Sequence, residues 1–99
     1  MLLSSGDDAV LHWIRGAVRM SDGRIVLVSE SSDELLFFTP DGTLERRVGR
    51  EGDGPGEFRG PFFLRRLAGD TLVVTDRTSG RISWFAGDGG FVRQERPVR

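Results

Sequence analysis

Cysteine, lysine, asparagine and tyrosine are all missing from this chain of 99 residues. Without cysteine there are no disulfides, no thiolate metal sites and no thiol nucleophile, and the fold can form in either redox environment. Long apolar runs are missing too, for none approaches the roughly 18 residues of a membrane helix. Helical periodicity is nowhere sustained. Neither sign of charge dominates, since 14 arginines stand against 15 acidic residues for a net charge of −1. That balance leaves no global field to attract nucleic acid or an anionic membrane. An all-arginine basic set fits a GC-rich coding sequence better than a functional demand. The opening MLLSSGDD has neither the basic region nor the apolar core of a secretory signal. The cytoplasm is therefore the default expectation, with export expected if the chain is a truncated member of a larger protein. What remains is 37% apolar and 29% charged, the composition of a globular domain. At this length an independent core is thin.

What the chain does have is a repeat. Sliding residues 19–46 forward by 47 without a gap matches Arg19/Arg66, Val26/Val73, Ser32/Ser79, Phe38/Phe85, Asp41/Asp88, Gly42/Gly89 and Arg46/Arg93. These are 7 identities in 28 positions, against about two from composition alone. Other apolar positions pair in kind, among them Met20/Leu67, Ile25/Leu72, Leu27/Val74, Leu35/Ile82, Phe37/Trp84 and Leu44/Phe91. A period of roughly 40 to 50 residues built from short strands marks propeller blades.

Each copy reads as four strands joined by turns. In the first, Ala17–Met20, Arg24–Ser29, Glu34–Thr39 and Thr43–Val48 are separated by Ser21-Asp22-Gly23, a polar connector at 29–33, and Pro40-Asp41-Gly42. Asp-Gly between apolar runs is a strong hairpin signal, because glycine accepts the positive φ of the turn. The second copy gives Phe62–Leu67, Thr71–Thr75, Arg81–Phe85 and Phe91–Glu95, with its connector at 76–80. The inner strands are apolar on both faces, so both faces expect cover. The outer strand alternates instead, with Leu44, Arg46 and Val48 expected on one side and Glu45 and Arg47 on the other. Such grading suits blades stacked face to face around an axis better than a lone sandwich. The expected fold is all-β: two four-stranded antiparallel blades, at 17–48 and 62–99. A lead-in over 1–16, with a strand at Ala9–Ile14, can complete a neighbouring blade. A glycine-rich crossing at 49–61 joins the two copies.

That crossing carries a resemblance. Gly52-Asp53-Gly54-Pro55-Gly56-Glu57-Phe58, followed by Val74-Thr75-Asp76, Arg81-Ile82-Ser83-Trp84-Phe85 and the Asp88-Gly89 turn, resembles the repeat of bacterial six-bladed β-propellers of the NHL type. The first copy departs from the pattern, with Ser29 in place of Asp76 and Glu34 in place of Arg81. The resemblance implies six units, and two are present. Four strands about 4.8 Å apart and roughly 17 Å long leave an apolar footprint on the order of 300 Å² on each outer face. A patch of that kind marks a contact surface. The expected partners are further blades, supplied by a longer parent chain or by a trimer of copies.

Candidate chemistry is sparse. The glycine loop lacks the Lys-Ser/Thr of a phosphate loop, and no helix pattern follows it. It reads as a structural crossing in which Gly52, Gly54, Pro55 and Gly56 set the backbone. Glu57 binds backbone N–H groups in that reading, and Phe58 plugs the core. Glu51, Asp53 and Glu57 invite calcium, yet an EF-hand frame from Glu51 puts Phe62 where a bidentate glutamate is required. The expectation is no cofactor beyond adventitious calcium, and no metal ligand or catalytic residue. His12, the only histidine, has no ligand cluster around it. NHL-type lyases hold zinc through histidines, and propeller lactonases hold calcium through asparagine and acidic groups. Neither set has a counterpart here. Arginines at 46, 47, 50, 65, 66, 93, 96 and 99 interleave with acids, as in a solvated ion-paired rim.

The ligand-face candidates are Asp76, Arg77, Ser29 and Glu30, because the two connectors occupy corresponding positions on one blade face and such loops carry recognition. Asp76 also suits an Asx-type cap of its own connector. The reading is a non-catalytic binding or scaffolding module with a protein or glycan ligand. Second comes a piece of a metal-dependent hydrolase or lyase whose catalytic residues lie elsewhere, and third a nucleic-acid binder.

Overall fold

The computed structural model describes residues 16–96. The strand expected at Ala9–Ile14, with His12 inside it, lies outside the described residues, as does Arg99. Two four-stranded antiparallel sheets form, each a meander in which every strand pairs with the next. The first contains β1 (Ala17–Arg19), β2 (Ile25–Ser29), β3 (Glu34–Phe38) and β4 (Leu44–Val48). The second contains β5 (Pro61–Arg66), β6 (Leu72–Asp76), β7 (Ile82–Phe85) and β8 (Phe91–Glu95). β-Branched and aromatic runs supply the strands, and the Asp-Gly turns close them. At Pro40-Asp41-Gly42, Gly42 N–H donates to the Thr39 carbonyl at 2.9 Å, and Asp41 accepts from Thr39 and Thr43. The corresponding turn of the second sheet uses Gly89 N–H and the Ala86 carbonyl, also at 2.9 Å.

One expectation fails. In β4, Leu44 does not share a face with Arg46 and Val48. Phe38 pairs with Leu44 while Phe37 pairs with Arg46, so the register slips and Glu45 has no partner opposite. A bulge of this kind puts two residues against one and reverses the alternation beyond it. The same slip recurs between Trp84 and Phe85, where Phe91 and Arg93 are the partners and Val92 is left over. Leu44 and Phe91 are thereby turned to the same side as Phe38 and Phe85, and Phe91 meets the Phe85 ring edge-on at 5.7 Å.

The core lies between the sheets. Val26, Leu35 and Phe37 of the first sheet face Leu64, Leu72, Val74 and Phe85 of the second, with Met20 and Phe58 at the margins, and none is more than 3% exposed. Each such side chain contributes about 1.5–3 kcal/mol on burial. At the turn end, Ser21 donates from its N–H (3.1 Å) and its hydroxyl (2.5 Å) to the Asp70 carboxylate across the junction. These bonds, with Arg66, hold the Asp70 pKa below the ordinary value. The other side of the first sheet carries a groove lined by Leu27, Leu36, Phe38, Gly42 and Leu44.

Candidate ligand face

In a meander the even-numbered strands end at the same sheet edge, so both connectors and the crossing between blades emerge on one face. The crossing folds on itself. Phe58 N–H donates to the Arg50 carbonyl (2.8 Å), Gly52 N–H to the Phe58 carbonyl (2.9 Å) and Glu57 N–H to the Gly54 carbonyl (3.0 Å). Glu57 accepts from Arg50 Nε at 2.7 Å and from Gly54 N–H at 2.9 Å, and these two bonds lower its pKa. Glycine is required at 52, where an added Cβ would stand 2.0 Å from Glu57 Oε1. Phe58, 1% exposed, carries its ring to within 5.8 Å of Phe85 and so pins the crossing to the core.

Asp76 ends β6 and is 2% exposed. One carboxylate oxygen accepts from Thr78 N–H (3.1 Å) and Ser79 N–H (3.0 Å), which closes the connector as an Asx-type turn. The other accepts from Arg59 N–H (2.6 Å) and Gly60 N–H (3.1 Å) on the crossing. Burial works against its charge, but the donors at Ser79, Arg59 and Gly60 prevail and hold its pKa below the ordinary aspartate value.

Arg81 completes this arrangement, and nothing in the sequence pattern marks it as a site residue. Its side chain is buried, 3% exposed overall. Nε donates to Ser79 Oγ at 2.9 Å, while the two terminal nitrogens donate to the carbonyls of Asp53 (2.9 Å) and Gly52 (3.0 Å). Only a guanidinium offers a fork that spans two consecutive carbonyls. The sole sequence signal is its place at the head of the R-I-x-x-F strand. Together Asp76 and Arg81 clasp the crossing from both ends, one holding N–H groups and the other carbonyls.

The first connector has no such clasp. Ser29 accepts from Ser32 Oγ at 2.7 Å, and Glu34 pairs with Arg47 at 3.2 Å across β3 and β4. The two connectors nonetheless meet: Arg77 and Glu30 come within 3.7 Å, their side chains 66% and 56% exposed. The Arg77 guanidinium also lies 4.7 Å over the Phe62 ring. Phe62 stands at the register slip that opens β5, between the paired residues Pro61 and Phe63. Of the four ligand-face candidates, Glu30 and Arg77 are thus brought together in the open, Ser29 is half-buried among serines, and Asp76 is enclosed by backbone.

The acids of the crossing are paired with arginines. Arg59 holds Asp53 through two bonds of 2.9 and 3.0 Å and approaches Glu51 at 3.7 Å. Among the described residues no three His, Cys, Asp or Glu side chains gather at metal-binding distance. Arg24, Arg66 and Arg93 pair with Asp22, Asp70 and Glu95, which spreads both signs of charge around the rim.

The sequence model of a family described as a 6-bladed beta-propeller matches residues 2–62. Among solved structures, the fold is similar to a protein of Bacteroides fragilis NCTC 9343 thought to be exported, with a TM-score of 0.72 and 18% identity. The alignment covers 84% of this chain and 24% of that one, so the chain spans about a quarter of its neighbour's length. No curated protein matches the chain in sequence.

Proposed function

We propose a role for this chain from one fixed point: it belongs to the six-bladed β-propeller family. Its two sheets act as two NHL-like blades of such a ring, in a non-catalytic module that binds or scaffolds. The observation that carries this reading is the contact between Glu30 and Arg77, which joins the two connectors into one exposed polar patch on the face of the crossing. Phe62 beneath the guanidinium adds an apolar floor. A cation, a carboxylate and an aromatic edge side by side suit a polar, multiply hydrogen-bonding ligand, a protein loop or a glycan. Asp76 serves from below, by holding the connector that carries Arg77 in one conformation. Export from a bacterial cell is part of the reading, supported by the description of the Bacteroides protein.

The test is a screen of the immobilised chain against a glycan array and a peptide library, run beside a Glu30→Ala/Arg77→Ala double variant. Binding that falls at least tenfold in the variant, at unchanged melting temperature, supports the reading. Ester or lactone hydrolysis that depends on added calcium or zinc would overturn it. So would RNA retention with a steep salt dependence.

A further inference from the structure

The chain contains no asparagine and four Asp-Gly steps, at 22–23, 41–42, 53–54 and 88–89. Such a step rearranges without an enzyme. The glycine nitrogen attacks Cγ of the aspartic acid, and the N–Cγ bond forms as the Cγ–OH bond breaks. The hydroxyl leaves as water with the N–H proton. Water then opens the five-membered ring at the main-chain carbonyl, breaking its bond to nitrogen. The backbone afterwards runs through Cβ, as isoaspartate. Whatever pins the nitrogen or the carboxyl group slows the reaction.

The nitrogens do not separate the four sites. Gly23 N–H donates to the Met20 carbonyl at 3.0 Å, and Gly42 and Gly89 N–H donate to the carbonyls of Thr39 and Ala86 at 2.9 Å. Gly54 N–H donates to Glu57 Oε1, also at 2.9 Å. The carboxylates do separate them. Asp22 accepts from Arg24 N–H (3.0 Å) and Arg24 Nε (2.8 Å), and Asp53 accepts from two nitrogens of Arg59 at 3.0 and 2.9 Å. Asp41 accepts from the Thr39 hydroxyl and from Thr43 N–H at 3.2 Å. The bonds from Arg24 N–H, the Thr39 hydroxyl and Arg59 are also the leading causes of the lowered pKa values of Asp22, Asp41 and Asp53. They keep these groups in the ionised form, which cyclises poorly. Among the described residues, exposed Asp88 accepts only from Gly90 N–H, at 2.8 Å.

The repeat explains the difference. Thr39-Pro40-Asp41-Gly42-Thr43 becomes Ala86-Gly87-Asp88-Gly89-Gly90 in the second copy. The same backbone bonds close both turns, with Thr39 N–H on the Thr43 carbonyl at 2.8 Å and Ala86 N–H on the Gly90 carbonyl at 2.7 Å. Ala86 lacks the hydroxyl that holds Asp41, and Gly87 lacks the ring that fixes φ at Pro40. Packing requires glycine at 87, where an added Cβ would stand 3.1 Å from the Asp70 carbonyl oxygen and 3.4 Å from Met20 Cε. Gly89 seats the turn on the first sheet, where an added Cβ would lie 2.8 Å from Val48 Cγ2 and 3.4 Å from Phe37 Cζ. Close seating and a loosely held Asp88 thus have one origin.

We infer that Asp88 is the site at which this chain forms isoaspartate, and that its conversion unseats the turn from the first sheet. Isoaspartate adds one main-chain carbon just ahead of Gly89, at a contact where a single added carbon would already meet Val48 at 2.8 Å. Ageing at one exposed turn is thereby converted into loosening between the two sheets. The inference goes beyond the binding role and does not depend on it.

Cleavage after arginine places the four steps in four different peptides, so one digest scores them all. The whole chain is aged in warm neutral buffer, and isoaspartate is then marked by an isoaspartyl methyltransferase with labelled S-adenosylmethionine. Label at Asp88 should exceed that at each other site at least about fivefold, the ratio set by one lost hydrogen bond. Ala86→Thr returns the hydroxyl and should cut the label at 88 to the level seen at 41. Purified chain carrying isoaspartate at 88 should melt roughly 4 °C or more below fresh chain. Label at Asp22, Asp41 or Asp53 that keeps pace with Asp88, or no label at any of the four, overturns the inference. So does a label at 88 unchanged by Ala86→Thr, or an isoaspartate chain that melts with the fresh one. Should Ala86→Thr fail to fold, Thr39→Ala replaces it, with the label at 41 expected to rise toward that at 88.

Discussion

The connectors of the two blades hold equivalent places 47 residues apart and are built on different principles. The second is clasped from within: Asp76 and Arg81 are both buried, and both reach out of their own connector to the crossing. The first is held by serine hydroxyls and the Glu34–Arg47 pair, with Arg47 60% exposed, and it meets the second connector through the exposed Glu30–Arg77 pair. Exposed pairs of that kind contribute under about 1 kcal/mol, whereas hydrogen bonds to a charged group contribute about 1.5–3. The difference follows the crossing. Where G-D-G-P-G-E-F leads into a blade, an acid and an arginine stand ready to hold it; 47 residues earlier the chain reads Ser5-Gly6-Asp7-Asp8-Ala9-Val10-Leu11, and the acid and arginine are absent. Clasp and crossing are one device.

The comparison can be broken first at the joint they share. Phe58→Ala removes the ring that pins the crossing and should destabilise the chain by about 3–5 kcal/mol in urea unfolding. Asp76→Ala comes next. It leaves four N–H groups without their acceptor, for an expected loss of about 3 kcal/mol. The same residue makes the acid response asymmetric. Its pKa is depressed in the fold, so its contribution is complete above about pH 4 and is lost as pH falls through the folded value. Melting temperatures of Asp76→Asn measured from pH 6 down to 2 should fall less steeply than those of the wild type. Arg81→Lys tests the fork. A single ammonium cannot serve both carbonyls, so amide exchange at Gly52 and Gly54 should quicken at least tenfold with a stability loss of about 1–2 kcal/mol. At the small end, Ser29→Ala in the first connector should change stability by less than about 0.5 kcal/mol. A large effect there would erase the contrast between the blades.

Much of the scaffold was legible because it rests on local chemistry. Asp-Gly pairs select tight turns, and runs such as Ile25-Val26-Leu27-Val28 have one sensible use. The Asx turn of Asp76 reaches only three residues ahead and is equally readable. Its hold on Arg59 and Gly60 spans 17 and 16 residues, and that of Arg81 on Asp53 and Gly52 spans 28 and 29. No residue type announces such bonds when the partners are main-chain groups. The bulges were hidden for another reason. Leu-Glu-Arg-Arg-Val reads as clean alternation, and only pairing with β3 shows that the slip at Glu45 turns Leu44 to the other side. That single slip places Leu44 on the groove wall.

The bulges also govern what the chain avoids. Among the described residues, β4 and β8 have a strand paired on one side only. A flat edge of that kind recruits another strand and seeds fibres. Here a kink with an unmatched residue interrupts each ladder at the same point, and Arg47, Arg93 and Glu95 set charges beside it. Such features disfavour strand addition at these two edges, so filament growth through β4 or β8 should be slow in concentrated solution.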